Sequence, residues 1–280
     1  QEPGGTRCLI GLSEGGEAAE TYREFDLETR QFVKGGFFLP HAKQDVSWFD
    51  ADTLLVSRPW TPDEVTTSSY PYIVKKLARG QKLEDATQVF AGVKSDMSVG
   101  GAVLHDSDGH VLPMIVKLPT FFARQVYRLD GDRAVKLDLP EKSDSVGYVR
   151  SRLIVRLNEK WRGFVAGSVV AVDPMKADLA PELVVAPTAR QTIEGVGVSR
   201  DRLVISLYDN VRGQAWIYRI DDRGHWNGQR LALPENVSVS VVDTDLKTDT
   251  AFISVTGFLT PTTRWMVDTA TGAAAAIKHA

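Results

Sequence analysis

The 280-residue chain has a single cysteine, Cys8, so it can form neither an intrachain disulfide nor a thiolate zinc site. It also lacks an excess of either charge. Its 33 Lys and Arg stand against 36 Asp and Glu, for a formal net charge of −3. That balance leaves no basic surface of the size nucleic-acid phosphates require. Long apolar runs are missing: stretches such as Val165–Val172 fall far short of the ~20 residues of a membrane span. Gln1–Thr6 is polar and glycine-rich, without the apolar core of a signal peptide. A partner set without nucleic acid or membrane is therefore expected. A disulfide-free domain suits a cytoplasmic or a periplasmic location equally. Helical periodicity is nearly absent, and only Gln81–Val89 has the makings of a helical turn inside a loop. No glycine-rich loop follows a strand and opens a helix, which removes support for nucleotide binding, and no cofactor is expected.

What the sequence does have is a repeat. A short β-rich run ends in an acidic turn at Tyr22–Asp26, Val126–Asp130, Val169–Asp173, Ile217–Asp221 and Arg264–Asp268, with a weaker copy at Val74–Gly80. The anchors at 26, 78, 130, 173, 221 and 268 lie 43 to 52 residues apart. One four-stranded propeller blade takes roughly 40–50 residues, so the expected fold class is all-β, a β-propeller with about six blades visible. A chain this long can bury about three quarters of its unfolded surface, enough for such a fold.

The fifth unit divides into Ile193–Val198, a half-buried Arg202–Leu207, Gly213–Ile220 and Gln229–Leu233, the last ending at Pro234. Leu39-Pro40 and Leu139-Pro140 repeat that ending, and proline, which donates nothing to a ladder, suits a strand end. Gly100, Gly101, Gly147, Gly195 and Gly197 fall on the first strand of their units, where converging blades leave little room for side chains. In the first unit Cys8–Leu12 reads as a second strand and Tyr22–Asp26 as a third, with no first strand upstream. Residues 1–280 are thus expected to be one propeller domain, N-terminally incomplete and cut from a longer chain.

Several stretches resemble a known family. Arg7–Gly16 with Arg23–Leu27, Lys43–Asp50 with Asp52–Val56, Ser69–Tyr72 and Leu77–Gly80 are similar, in order, to the propeller of prolyl oligopeptidases, particularly their bacterial branch. Thr256-Gly257-Phe258-Leu259-Thr260-Pro261 resembles the last blade, just before that family's hydrolase domain resumes. The resemblance implies a seven-bladed propeller over an α/β-hydrolase domain holding a Ser–Asp–His triad, with short peptides as substrates. That hydrolase domain is not in this sequence. In the family the propeller acts as a steric filter that admits short peptides, cleaved after proline, and keeps folded proteins out. The resemblance also implies that Lys117, with Phe121 and Phe122, faces the peptide, and that Leu55 and Ser57 lie on a strand lining the substrate-proximal surface.

No catalytic constellation is visible in residues 1–280, so the chain alone is not expected to be an enzyme. Gly11-Leu12-Ser13-Glu14-Gly15 matches the G-x-S-x-G elbow, but a true elbow needs a helix after the serine. Tyr22–Asp26 belongs to the repeat as a strand, so Ser13–Glu20 is expected to be a hairpin connection with glycines at positive φ. His105-Asp106-Ser107-Asp108-Gly109-His110 has the residues of a metal loop, yet Asp-Ser-Asp-Gly between strands favours a tight turn. No metal site is therefore expected. Asp243, Asp245 and Asp249 read as loop polarity, and the six tryptophans as packing between blades. A stand-alone propeller that binds protein partners is the alternative. An enzyme built in a propeller channel is disfavoured, because the first strands carry Gly, Ala, Val and Ser rather than convergent His and carboxylates.

Overall fold

The computed structural model describes residues 5–259 and 261–279; Gln1–Gly4, Thr260 and Ala280, three stretches touched by the sequence expectations above, lie outside them. Strands dominate, with one 3-10 turn at Leu83–Asp85, inside the segment expected to turn helically, and no α-helix among the described residues. Two compact units form: one reaches to Leu104 and includes Val111–Glu141, the other comprises His105–His110 and the chain from Lys142. The first holds three antiparallel sheets. These are β1 (Arg7–Leu12), β2 (Glu20–Asp26), β3 (Gln31–Phe32) and β4 (Phe38–Ala42); β5 (Asp45–Asp50), β6 (Thr53–Ser57), β7 (Ile73–Ala78) and β8 (Thr87–Ala91); and β9 (Ser98–His105), β10 (Val111–Thr120), β11 (Ala123–Asp130) and β12 (Arg133–Lys136).

The second unit holds three more: β13 (Ser143–Val149), β14 (Arg152–Leu157), β15 (Val169–Val172) and β16 (Glu182–Val185); β17 (Gln191–Ser199), β18 (Arg202–Asp209), β19 (Arg212–Ile220) and β20 (Trp226–Arg230); and β21 (Val237–Thr244), β22 (Thr250–Gly257), β23 (Thr263–Asp268) and β24 (Ala274–His279). In five sheets the strands pair in chain order, which is the blade meander the repeat implied. The first sheet differs. β3 and β4 both pair with β2, so it has three lanes, and β1 takes the place that second strands hold elsewhere.

The repeat has a local physical cause. The aspartate closing a third strand accepts backbone N–H groups of the turn that follows. Asp26 Oδ1 takes those of Glu28 and Thr29 at 2.9 and 2.8 Å. Asp221 Oδ1 takes those of Arg223 and His225, both at 2.9 Å, and Asp268 Oδ1 takes those of Ala270 and Thr271 at 2.9 and 3.2 Å. Asp173 does the same for Met175 at 3.0 Å. These bonds, the largest influence on each, hold the Asp26, Asp221 and Asp268 carboxyls below the usual range. The acidic residue recurs because each blade must reverse its chain at that point.

Second strands carry the core. In β6, Leu54 and Val56 pack with Leu39, Trp48 and Leu77, whereas Leu55 between them packs with Val74, Val99 and Ile115. In β18, Leu203 and Ile205 face Val149 and Ile154, and Val204 faces Val237 and Ile253. A strand buried on both faces reads as a continuous apolar run, so Arg202–Leu207 is not half-buried as the sequence suggested. Each fully buried Leu, Ile or Val contributes about 1.5–3 kcal/mol. Sheets pack closely enough to need glycine: a Cβ at Gly101 would stand 2.6 Å from Leu55 Cδ2. Trp48, Trp60, Trp216, Trp226 and Trp265 join these inter-sheet clusters, while Trp161 sits in the β14–β15 connection, bridged to Phe164.

Three strand ends differ from expectation, one of them that of β12, which stops at Lys136, four residues short of Pro140. The fourth strand of the fifth sheet is Trp226–Arg230, three residues before the anticipated Gln229–Leu233; Leu231 is buried but has left the ladder's strand. Pro40 lies inside β4 rather than at its end, next to the register shift between the Glu20 and Tyr22 pairings. An outer lane with a bulge tolerates a residue that cannot donate.

Candidate functional site

The G-x-S-x-G segment is a hairpin. Ser13 follows β1 directly, Gly15 and Gly16 take φ of 65° and 80°, and β2 runs back antiparallel. No helix follows Ser13, so the strand–serine–helix geometry that exposes a nucleophile is not built.

The Asp106 turn is also closed on itself. Asp106 Oδ1 accepts the Asp108 and His110 N–H groups at 3.0 and 2.9 Å, and Oδ2 takes the His110 ring Nδ1 and the Ser151 N–H, both at 2.9 Å. Burial pushes this carboxyl up, but the Ser151 and His110 hydrogen bonds outweigh it and leave Asp106 below the usual carboxylate range. Asp106, Asp108 and His110 do cluster, yet the oxygens of Asp106 already serve the turn. Asp249 is more than loop polarity. It pairs with Arg202 at 2.6 Å and Arg200 at 3.4 Å, tying the start of β18 to β22.

The segment implied to face a peptide is at one end of the first unit. Lys117, near the end of β10, is partly buried, with Nζ 3.3 Å from Asp96 Oδ1. Asp96 is itself buried and uses Oδ2 to accept the Val93 N–H at 2.7 Å. Phe121 and Phe122 stand in the β10–β11 turn, 66% and 73% exposed, their rings edge to face at 5.0 Å. Leu55 and Ser57 are fully buried; Leu55 fills the space over Gly101, and the Ser57 hydroxyl donates to the Val99 carbonyl. With no surface to offer a peptide, those two act on the site only by fixing β6.

Sequence reasoning missed Arg58, one residue beyond β6. It is only 7% exposed and makes no ion pair among the described residues. Its partners are neutral oxygens: Nε donates to the Pro59 carbonyl at 3.3 Å, and Nη1 to the Pro40 carbonyl and Gln44 Oε1 at 3.4 and 3.2 Å. Burial pulls its pKa down. An arginine after a buried strand looks like an ordinary surface cation in a sequence, so only the fold exposes it. The β6–β7 connection that follows reaches the β10 end through Met97 of the β8–β9 connection: Thr66 Oγ1 donates to the Met97 carbonyl at 3.0 Å, and the Met97 N–H donates to the Leu118 carbonyl at 2.8 Å.

In the second unit the equivalent turn, between β22 and β23, carries Phe258 and Leu259, 101% and 90% exposed. The end of β24 is next to it, because His279 pairs with Thr263.

Four-stranded antiparallel blades define the chain as a β-propeller domain. Residues 2–280 match the family described as "Prolyl oligopeptidase, N-terminal beta-propeller domain", and the chain belongs to that family. It is 37% identical over 286 residues to an uncharacterized peptidase of Sinorhizobium fredii, covering 96% of this chain and 39% of that protein. A post-proline cleaving enzyme from Rickettsia typhi superposes with a TM-score of 0.89 at 24% identity, over 98% of this chain and 43% of that one. A structure from an analysis of two prolyl endopeptidases gives 0.76 at 15% identity, over 99% and 41%. Both structural likenesses concern the fold. The chain spans well under half the length of these relatives.

Proposed function

We propose that this chain is the substrate-gating propeller of a prolyl-oligopeptidase-type serine endopeptidase that cleaves short peptides after proline. Catalysis, in this reading, belongs to an α/β-hydrolase domain of the same protein, and the propeller contributes exclusion and guidance. The carrying observation is the match of residues 2–280 to the prolyl-oligopeptidase propeller family, beside which the β10–β11 turn of the first unit exposes Phe121 and Phe122. Left in water they are a liability; under a covering domain they are contact surface. Lys117 and the two phenylalanines would meet a peptide through its carbonyls and apolar side chains, with the Asp96 ion pair holding the lysine in place.

The test uses the 280-residue chain with a chromogenic proline-containing peptide and a fluorophosphonate. No turnover and no labelling are expected. Labelling of Ser13 that disappears in Ser13→Ala would overturn the assignment of catalysis to another domain.

A further inference from the structure

A charge is expensive to bury without an opposite charge beside it. The first unit buries Arg58 to nine tenths and supplies only neutral acceptors. Those bonds fix the guanidinium through Nε and Nη1, leaving Nη2 with no partner. Nη2 is also absent from the fully enclosed unpaired atoms, so it keeps access to solvent. The guanidinium is thus immobilised, charged and open along one edge.

Its surroundings reinforce this. Lys43 Nζ stands 4.8 Å from the Tyr70 ring centre and Lys75 Nζ 4.5 Å from that of Trp60. Neither lysine has an ion pair among the described residues. The nearby carboxylates do not neutralise them. Glu64 accepts the Thr61 N–H at 3.0 Å, and Asp45, in the register pair beside Arg58's strand neighbour Ser57, makes no ion pair with Arg58. Lys75 lies opposite Val56, two residues before Arg58, and Lys43 directly precedes Gln44, which accepts from Arg58, so chain position and register bring the three cations to one end of the second sheet. This is the end where the β6–β7 connection is linked, through Met97 of the β8–β9 connection, to the β10 terminus that leads to Phe121 and Phe122.

We infer that Arg58, flanked by Lys43 and Lys75, is a binding site for the carboxylate of a peptide ligand. The inference rests on the reading that peptides reach this end of the unit. The guanidinium fork offers directed N–H donors to a carboxylate without a new ordering cost, because its side chain is already held. Trp60 and Tyr70 supply apolar surface for the neighbouring residues of the peptide.

The probe is a short fluorescent proline-containing peptide made with a free C-terminal carboxylate and, separately, as its C-terminal amide. Binding to the 280-residue chain is followed by anisotropy. The acid should bind about ten-fold more tightly than the amide, as one added charge-assisted contact implies. Arg58→Gln should abolish that preference, and Arg58→Lys, which keeps the charge without the fork, should retain part of it. Arg58→Lys, with a melting curve beside it, also covers the case in which the glutamine variant fails to fold. Equal binding of acid and amide, a preference that survives Arg58→Gln, or binding of neither form would overturn the site. In the whole protein, Arg58→Gln that lowers the melting temperature while leaving acid–amide discrimination intact would assign the carboxylate to the adjoining domain instead, and would equally contradict it. The gating proposal fails on a different readout, the dependence of cleavage on peptide length.

Discussion

Two buried charges in the first unit are treated in opposite ways. Glu24 on β2 has a fully buried side chain with every oxygen engaged: Arg79 grips it at 2.7 and 3.1 Å, Arg7 adds 3.3 Å, and the Phe37 N–H donates at 2.8 Å. Arg58 at the end of β6 meets only neutral oxygens and keeps one nitrogen open. Completed charge networks close a fold, whereas an incomplete one leaves interaction energy for something outside it. Glu24 therefore reads as architecture and Arg58 as a site.

The largest effect should come from breaking the closed network. Glu24→Ala leaves the buried Phe37 N–H without its acceptor and takes from Arg79 and Arg7 their shared carboxylate, Arg79 keeping Asp52 at 2.7 Å, and is expected to cost about 3 kcal/mol in urea unfolding of the first unit. A loss below about 1 kcal/mol would make the two charges equivalent. The pH dependence sharpens the contrast. Burial pushes the Glu24 carboxyl up, but hydrogen bonds from Arg79 and Phe37 and the charges of Arg79 and Arg7 bring it below its ordinary value. A depressed folded value stabilises the protein above the ordinary glutamate range and stops doing so as pH falls through the folded value. Acid melting of wild type should steepen there, and Glu24→Gln should flatten it.

Next in size is Asp106→Ala, which removes the acceptor for three N–H groups and the His110 ring, at about 1–3 kcal/mol. Wild-type melting in that variant would reduce the turn to coincidence. Arg58→Met should behave in the reverse sense. It leaves no carboxylate unpaired, so stability should stay within about 1 kcal/mol of wild type or rise. A loss as large as that of Glu24→Ala would reveal a hidden partner. The smallest kinetic effect belongs to Lys117→Ala in the whole protein, read on KM because the loss of Lys117 also leaves buried Asp96 without its ion pair. A partly solvated contact is worth about 1 kcal/mol, so KM should rise several-fold for longer peptides with kcat nearly unchanged.

The architecture was legible because its repeat is written in turn chemistry. Asp26, Asp173, Asp221 and Asp268 each close a third strand, and their spacing carries blade number and strand order together. Lane-by-lane burial was not. Arg202–Leu207 and Thr53–Ser57 are covered on both faces by neighbouring sheets, which no single unit of sequence encodes. The same gap displaced Leu55 and Ser57 from the surface. Lys117 could be noticed by resemblance, but its Asp96 partner comes from the β8–β9 connection and needed the fold. Arg58 left no trace in the sequence, since its significance is the partner that it lacks.

Gating requires that the propeller filter substrate by size. The direct measurement is kcat/KM of the whole protein on one proline-containing core sequence embedded in peptides of increasing length, ending with the same sequence in a folded host protein. Efficient cleavage of short peptides, a steep fall with length and none of the folded host is the result that gating predicts. Equal rates across the series, host protein included, would contradict it.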